Sequence, residues 1–202
     1  MNTNKILSIF EKAIEDYHIE NRIEQNDKNP FEANSMEHIL YHKTWIDTVQ
    51  WHCEDEVRNP QISAENVRLL KNKIDFLNQT RTNIVEQIDD YFWEKFKTIQ
   101  YDENARLNTE SPAWAMDRLS ILALKIYHMK EETLRSDLSE ANKINYLQKY
   151  ELLLTQRNDL TQAIQQLFSE IEEGKTIYKL YRQVKMYNDS DLNPILRKEN
   201  ER

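Results

Sequence analysis

The sequence predicts an all-α fold, a single bundle of five to six long, mostly antiparallel helices. The 202-residue chain contains one Gly and four Pro, so it lacks the residues on which tight turns and hairpins depend. Apolar residues also recur at alternating intervals of three and four, as on a helix face that packs in a bundle. We expect residues 1–188 to form one helical-bundle domain, followed by a polar C-terminal tail over residues 189–202.

Six helices are predicted in order along the chain. They are expected to cover about residues 3–24, 34–58, 63–100, 112–135, 140–174 and 175–187. Ser63 and Ser111 can cap the third and fourth helices, and Pro112 suits the first position of the fourth. Pro60 disfavours continuation of the second helix, and Gly174 is a natural end for the fifth. The sixth is expected to be a basic amphipathic helix that docks on the acidic bundle.

The composition excludes several classes of protein. With Gly174 as the only glycine, the chain cannot contain a P-loop, a Rossmann fingerprint or a Gly-rich kinase loop. Cys53 is the only cysteine, so it cannot form an internal disulfide, and we expect it to be an inert core thiol. The net charge of −8 argues against nucleic-acid binding. No signal peptide or membrane span is visible, which predicts a soluble cytoplasmic protein.

Arginines interrupt the apolar faces of two predicted helices. Arg81 lies in the face of the third helix and Arg157 in that of the fifth. An arginine that faces a core needs matched charge and hydrogen-bond acceptors. We therefore expect Arg81, and also Arg157, to meet the carboxylates of the second helix at Glu54, Asp55 and Glu56.

The stretch WHCEDEVR, residues 51–58, concentrates polar side chains within two helical turns. Together with Arg81 and two residues near the start of the fourth helix, this stretch defines a candidate charged site. Its residues are His52, Glu54, Asp55, Arg58, Arg81, Asp117 and Arg118. One interpretation is a structural charge layer that fixes helix register. The other is a site for a small anion, which arginine forks bind well. Because no complete catalytic constellation is present, no catalytic residue is assigned and no cofactor is required.

A magnesium site is the alternative interpretation of the acidic residues. Helical NTP pyrophosphohydrolases bind magnesium through E-E-x-x-E on one helix and E-x-x-D on a neighbour, and hard cations prefer such oxygen ligands. Glu54 and Asp55 match the first two acids, whereas Arg58 occupies the position of the third. Glu86 and Asp89 would supply the second half. This alternative predicts a Mg-dependent phosphohydrolase that acts on a nucleotide or sugar phosphate.

Four stretches of the chain carry a family resemblance. They are LYHKTWIDTVQWHCEDEVRNP (40–60), NQTRTNIVEQIDDYF (78–92), ESPAWAMDRLSILALKIYHM (110–129) and YRQVKMYND (181–189). These stretches resemble the bacterial domain-of-unknown-function 4254 family, except that Ser111-Pro112-Ala113 stands where members more often have a Thr-Pro-Gly-like sequence. The resemblance implies an all-helical cytosolic protein without an established reaction. Members tend to occur beside genes for cell-envelope sugar transfer, which implies a link to bacterial cell-envelope glycan biosynthesis.

These patterns support three functional hypotheses. The leading one is a non-catalytic cytosolic protein that binds an unknown protein partner or a small anionic ligand, does not bind nucleic acid and has no membrane span. The first alternative is the magnesium-dependent phosphohydrolase. The second is a structural homo-oligomer in which the apolar helix faces pair between chains.

Overall fold

Helices dominate the computed structural model, which describes residues 2–184 and 189–200. They are α1 (Thr3–Glu20), α2 (Met36–Val57), α3 (Ala64–Phe96), α4 (Pro112–Thr133), α5 (Glu140–Glu172) and α6 (Pro194–Asn200). The predicted all-α helical bundle is confirmed. The described residues also contain two short strands, β1 (Arg106–Leu107) and β2 (Thr176–Ile177), which pair in parallel.

Serine hydroxyls cap the four helices from α2 to α5. Ser35, Ser63, Ser111 and Ser139 each accept a hydrogen bond from the backbone N–H three residues later. Such a bond satisfies one of the N–H groups that a helix leaves unpaired at its start. The predicted caps at Ser63 and Ser111 are confirmed. The second helix begins at Met36 rather than near residue 34, because Asn34 has a left-handed φ of 67°.

The predicted sixth helix is wrong over residues 175–184, and residues 185–187 lie outside the described part of the chain. Gly174 ends α5 with a φ of +73°, where a Cβ would collide with the carbonyl oxygen of Gln100. The chain then forms β2, since backbone pairing with β1 replaces helical hydrogen bonds. Tyr181 is 71% exposed and Val184 82% exposed, so these two residues of the expected apolar face do not pack on the bundle. The region of the predicted polar tail, residues 189–202, contains α6.

Helix α1 runs in the same direction as α2. Lys5 Nζ lies 2.6 Å from Glu37 Oε1 near the two starts, and His18 Nε2 lies 3.2 Å from His52 Nε2 near the two ends. The connecting segment, residues 21–35, runs back along α2 from the end of α1 to the start of α2, with Asp27 beside His42 and Asn29 beside His38. Consecutive helices from α2 to α5 are antiparallel, so α4 also runs with α2. The C-terminal ends of α1, α2 and α4 therefore meet at one end of the bundle.

The core lies between these helices and is built from fully buried aromatic and aliphatic side chains. Phe10 of α1, Leu40 of α2, Phe92 of α3 and Phe168 of α5 are examples. Cys53 is also fully buried, as predicted, and burial raises the pKa of its thiol. A thiol with a raised pKa forms less thiolate and is less reactive.

Across the described residues, no helix combines the length and the apolar composition that a membrane crossing requires.

Candidate functional site

A buried ionic network joins α2 to α4. The Lys43 side chain is 1% exposed, and its Nζ lies 2.6 Å from Asp47 Oδ2 and 2.8 Å from Asp117 Oδ1. It also donates to the hydroxyl of Ser120, which lies 3.0 Å from Asp47 Oδ2. Lysine has three N–H donors, and these three oxygens provide an acceptor for each. The buried charge is therefore compensated within the network.

Arg81 of α3 completes this network from the side of the solvent. Its Nε donates to Asp117 Oδ1 at 2.8 Å, and a terminal nitrogen donates to Asp117 Oδ2. Its Nε also lies 3.5 Å from Asp47 Oδ1. The prediction that carboxylates neutralise Arg81 is confirmed, but the acid from α2 is Asp47. Helices α2 and α3 are antiparallel, and their alignment places Arg81 opposite Asp47. Glu54, Asp55 and Glu56 lie about two turns further along α2 and do not pair with Arg81.

The two carboxylates of the network respond differently to burial. Burial alone would raise the pKa of Asp117, but the charges of Lys43 and Arg81 outweigh it and lower the pKa. Burial raises the pKa of Asp47 by more than Lys43 lowers it, and the negative charge of Asp117 adds to the rise. Asp47 Oδ1 also has no hydrogen-bond partner among the described residues. Asp47 is therefore the least satisfied member of the network.

Arg157 does not belong to this network, so the prediction that places it beside acids of the second helix is wrong. Helix α5 packs against α1 and α4, and Arg157 lies 3.7 Å from Glu11 Oε1 of α1. It borders a groove of about 830 Å³ whose walls are mostly Asn, Gln and Thr side chains. The Arg157 side chain therefore faces a polar groove rather than the second helix.

Two other arginines of the predicted site lie on the surface. Arg58 pairs with Glu54 one turn earlier on α2 at 2.8 Å, and its side chain is 67% exposed. Arg118 pairs with Glu110 at 3.0 Å, and its side chain is 64% exposed. Arg118 is adjacent to Asp117 in sequence but points away from the network. It therefore does not join the other predicted residues.

A cleft of about 290 Å³ opens beside the network, where Arg81 approaches the surface. Its walls are formed by Asp47, Gln50, Trp51, Glu54, Asp55, Arg58, Arg81, Ile121 and Leu124. Four residues of the predicted charged site meet in this cleft, namely Glu54, Asp55, Arg58 and Arg81. The network residues Lys43 and Ser120, which the sequence did not single out, lie buried behind it.

The four carboxylates of the magnesium alternative lie in two separate places. Glu54 and Asp55 line the cleft, whereas Asp89 is buried beside the hydroxyl of Ser111 at the start of α4. Burial raises the pKa of Asp89 to about 6. Glu86 accepts a hydrogen bond from the segment after β2. Within the described residues these acids do not assemble into a group of metal ligands.

Three histidines converge where the ends of α1, α2 and α4 meet. One ring nitrogen of each of His18, His52 and His128 lies within 4.8 Å of the others, and all three side chains are half-buried. Burial lowers the pKa of each imidazole, that of His128 to about 4. This histidine cluster is therefore neutral at pH 7. The sequence singled out His52 alone, because the three residues come from distant helices and form no short motif.

Family membership is decided by residues 37–180. This range matches the family model described as "Protein of unknown function (DUF4254)". The chain belongs to this family. The matched range contains α2 to α5 and hence the ionic network and the cleft, as well as His52 and His128. His18 lies outside it.

No curated protein and no solved structure matches the chain.

Proposed function

We propose that this DUF4254 protein is a non-catalytic binding protein whose cleft takes a small anionic ligand. The proposal rests on the hydrogen bonds and the partial exposure of Arg81. Asp117 holds its guanidinium through two hydrogen bonds, while the side chain remains 27% exposed on the cleft wall. A guanidinium has five N–H groups, so the others stay available to a ligand in the cleft.

The buried network fixes Arg81 before a ligand arrives. Withdrawing one partner from a buried ion pair costs about 3–5 kcal/mol, so Arg81 stays on Asp117 when a ligand binds. An arginine that is already held loses little side-chain freedom on binding, which would otherwise cost roughly 0.5–1.5 kcal/mol. Arg81 is thus a preorganised fork for a carboxylate or phosphate.

The remaining walls of the cleft favour a ligand that also carries hydroxyl groups. Trp51 offers an aromatic face, and Gln50 both donates and accepts hydrogen bonds. Glu54 and Asp55 accept hydrogen bonds from hydroxyls but repel a polyanion. A sugar phosphate with a single charged group suits this combination better than inorganic polyphosphate. The proposal extends to a cytoplasmic role in bacterial cell-envelope glycan biosynthesis, where ligands of this class are handled.

The residue types in the cleft support a non-catalytic role. Among the residues that the structure describes, its walls include no Ser, Thr, Cys, His or Lys, so they offer no hydroxyl or thiol nucleophile paired with a base. No observation favours the magnesium-dependent phosphohydrolase, since Glu86 and Asp89 do not line this cleft.

Isothermal titration calorimetry with sugar phosphates and sugar nucleotides tests the proposal. Arg58→Ala removes a cation from the cleft, and we expect at least about a tenfold weaker affinity, or about 1.4 kcal/mol. Arg118→Ala is the matched control, because Arg118 has the same exposure and the same kind of ion pair but lies outside the cleft. The proposal fails if no such compound binds, or if Arg118→Ala weakens binding as much as Arg58→Ala.

A second candidate function, a structural homo-oligomer, is favoured by helix α5. Its buried residues begin at Ile164, although the apolar spacing extends through the whole first half of the helix. Ile144, Leu147 and Leu152 in that half are exposed. Apolar side chains exposed along one helix often mark an interaction surface. Light scattering coupled to gel filtration gives the oligomeric state, and a monomer at all concentrations contradicts this candidate.

A further inference from the structure

We propose that His18, His52 and His128 form a binding site for a divalent transition metal ion of the zinc type. Zinc binds histidine nitrogens at about 2.0–2.1 Å, and two nitrogens on one tetrahedral ion lie roughly 3.3 Å apart. The distance between His18 Nε2 and His52 Nε2 is 3.2 Å, and a nitrogen of His128 lies within 4.8 Å of both. A small movement of the third ring brings the three nitrogens around one ion.

The hydrogen bond of His18 fixes which nitrogen faces the cluster with a lone pair. His18 Nδ1 lies 2.6 Å from the carbonyl oxygen of Ile14. A carbonyl oxygen can only accept, so Nδ1 carries the proton and donates it. In the neutral ring Nε2 is then unprotonated. Histidine ligands of metal ions commonly donate their second nitrogen to a backbone carbonyl in this way.

His128 is the residue that distinguishes a metal site from a simple hydrogen bond between His18 and His52. His18 and His52 could satisfy each other if His52 Nε2 carried a proton. Nε2 of His128, however, is buried and has no hydrogen-bond partner within the part of the chain that the structure describes. Burying such a nitrogen without a partner costs about 1–3 kcal/mol. Coordination to an ion that His18 and His52 also bind removes this cost.

Aromatic rings hold the imidazoles in place. His128 stacks on Trp51 with ring centres 4.7 Å apart and 7° between the planes. His52 stacks on Tyr17 with centres 5.2 Å apart and 8° between the planes. Stacking limits rotation of the rings, so the ligands are partly preorganised. Three protein ligands leave a fourth position on a tetrahedral ion for water or another molecule.

The charge of the surroundings also suits a cation. The negative charges of Glu131 and Asp55 favour a positive charge at His18 and His52, respectively. His18 lies in the last turn of α1, where the helix dipole is negative.

Titration of chelator-treated, untagged protein with Zn²⁺ and Co²⁺ tests the site. We expect one ion per chain, with the visible absorption of tetrahedral Co²⁺ that Zn²⁺ displaces. His128→Gln and His18→Gln are each expected to weaken binding at least about a hundredfold. His42→Gln is the control, because His42 lies on α2 like the ligand His52 but contacts Asp27 outside the cluster.

Three results would overturn the inference: no stoichiometric binding, unchanged affinity in His128→Gln, or equal weakening in His42→Gln. Circular dichroism of each variant shows whether it folds. If His128→Gln does not fold, His18→Gln decides the question, because it alters the cluster from α1. Sugar-phosphate binding by His18→Gln is expected to match that of the unmodified protein, which keeps this test independent of the cleft.

Discussion

The ionic network and the histidine cluster share helices α2 and α4 but differ in the charge of their polar side chains. The network places Lys43 between two carboxylates and a hydroxyl, so its charges are compensated within the protein. The cluster consists of neutral rings, and one buried nitrogen of His128 has no hydrogen-bond partner in the described part of the chain. Trp51 lies between the two regions: it lines the cleft beside Asp47 and Arg81 of the network, and it stacks on His128 of the cluster. The network therefore holds its charges together by itself, whereas the unpartnered nitrogen of His128 belongs to a group of three potential metal ligands.

Lys43→Ala is expected to give the largest effect, because it leaves Asp47 and Asp117 buried without their common cation. The free energy of unfolding should fall by about 3–5 kcal/mol, as measured by urea denaturation. Lys5→Ala is the control, since Lys5 and Glu37 form an exposed ion pair of the same length. Exposed pairs contribute about 1 kcal/mol or less. If the two variants lose similar stability, the network does not depend on compensated burial.

Asp89 extends the comparison to a buried carboxylate whose pKa stays raised despite the positive charge of Arg182. Burial raises its pKa from 3.8 to about 6, against the opposing effects of Ser111, Ala113 and Arg182. The folded state therefore binds this proton more tightly than the unfolded state. The stability that the proton contributes is full below pH 3.8 and is lost as the pH rises through about 6.

Asp89→Asn should remove this part of the pH dependence. The difference in unfolding free energy between the protein and the variant is expected to change between pH 4 and 6 by up to roughly 2 kcal/mol. Urea denaturation at several pH values measures it. Asp75→Asn is the control, because Asp75 also lies on α3 but pairs with Lys71 and does not act on the pKa of Asp89. A parallel pair of stability curves for the protein and Asp89→Asn contradicts the prediction.

His128→Gln should have the smallest effect on the metal-free protein. The imidazole makes no hydrogen bond through Nε2, so the variant loses mainly stacking on Trp51, worth about 0.5–1.5 kcal/mol. Thermal unfolding should show a melting temperature that Zn²⁺ raises for the protein but not for the variant. A rise of equal size in both would place the zinc effect elsewhere. A metal-free loss as large as that of Lys43→Ala would mean that the cluster is structural.

Much of the fold could be predicted because its signals are local. Ser63 and Ser111 mark helix starts through bonds that span three residues, and Arg81 stands out as a charge within an apolar repeat. The strand at residues 176–177 could not be predicted, because it depends on pairing with residues 106–107. Gly174 correctly marked the end of α5, but a helix stop carries no information about whether a strand or another helix comes next.

The candidate site was predicted less completely for the same reason. Arg81 was expected to meet Glu54 to Glu56, but the meeting point depends on how α2 and α3 align, which no local signal encodes. Lys43 and Asp47 are four residues apart, and such pairs usually lie on the exposed face of a helix. Their positions between buried residues such as Trp45 and Val49 were the available clue. The cluster of His18, His52 and His128 has no comparable clue.

The shared direction of α1 and α2 affects the order in which the chain assembles. Segment 21–35 must extend along the bundle before α1 can dock, and α1 then joins residues as distant as Thr3 and Gln165. The hairpins α2–α3 and α4–α5 need only local contacts, which form faster than contacts between distant residues. We therefore expect α1 to be the last helix to dock and the first to open in hydrogen exchange. Because His18 is on α1, a bound metal ion would slow that opening.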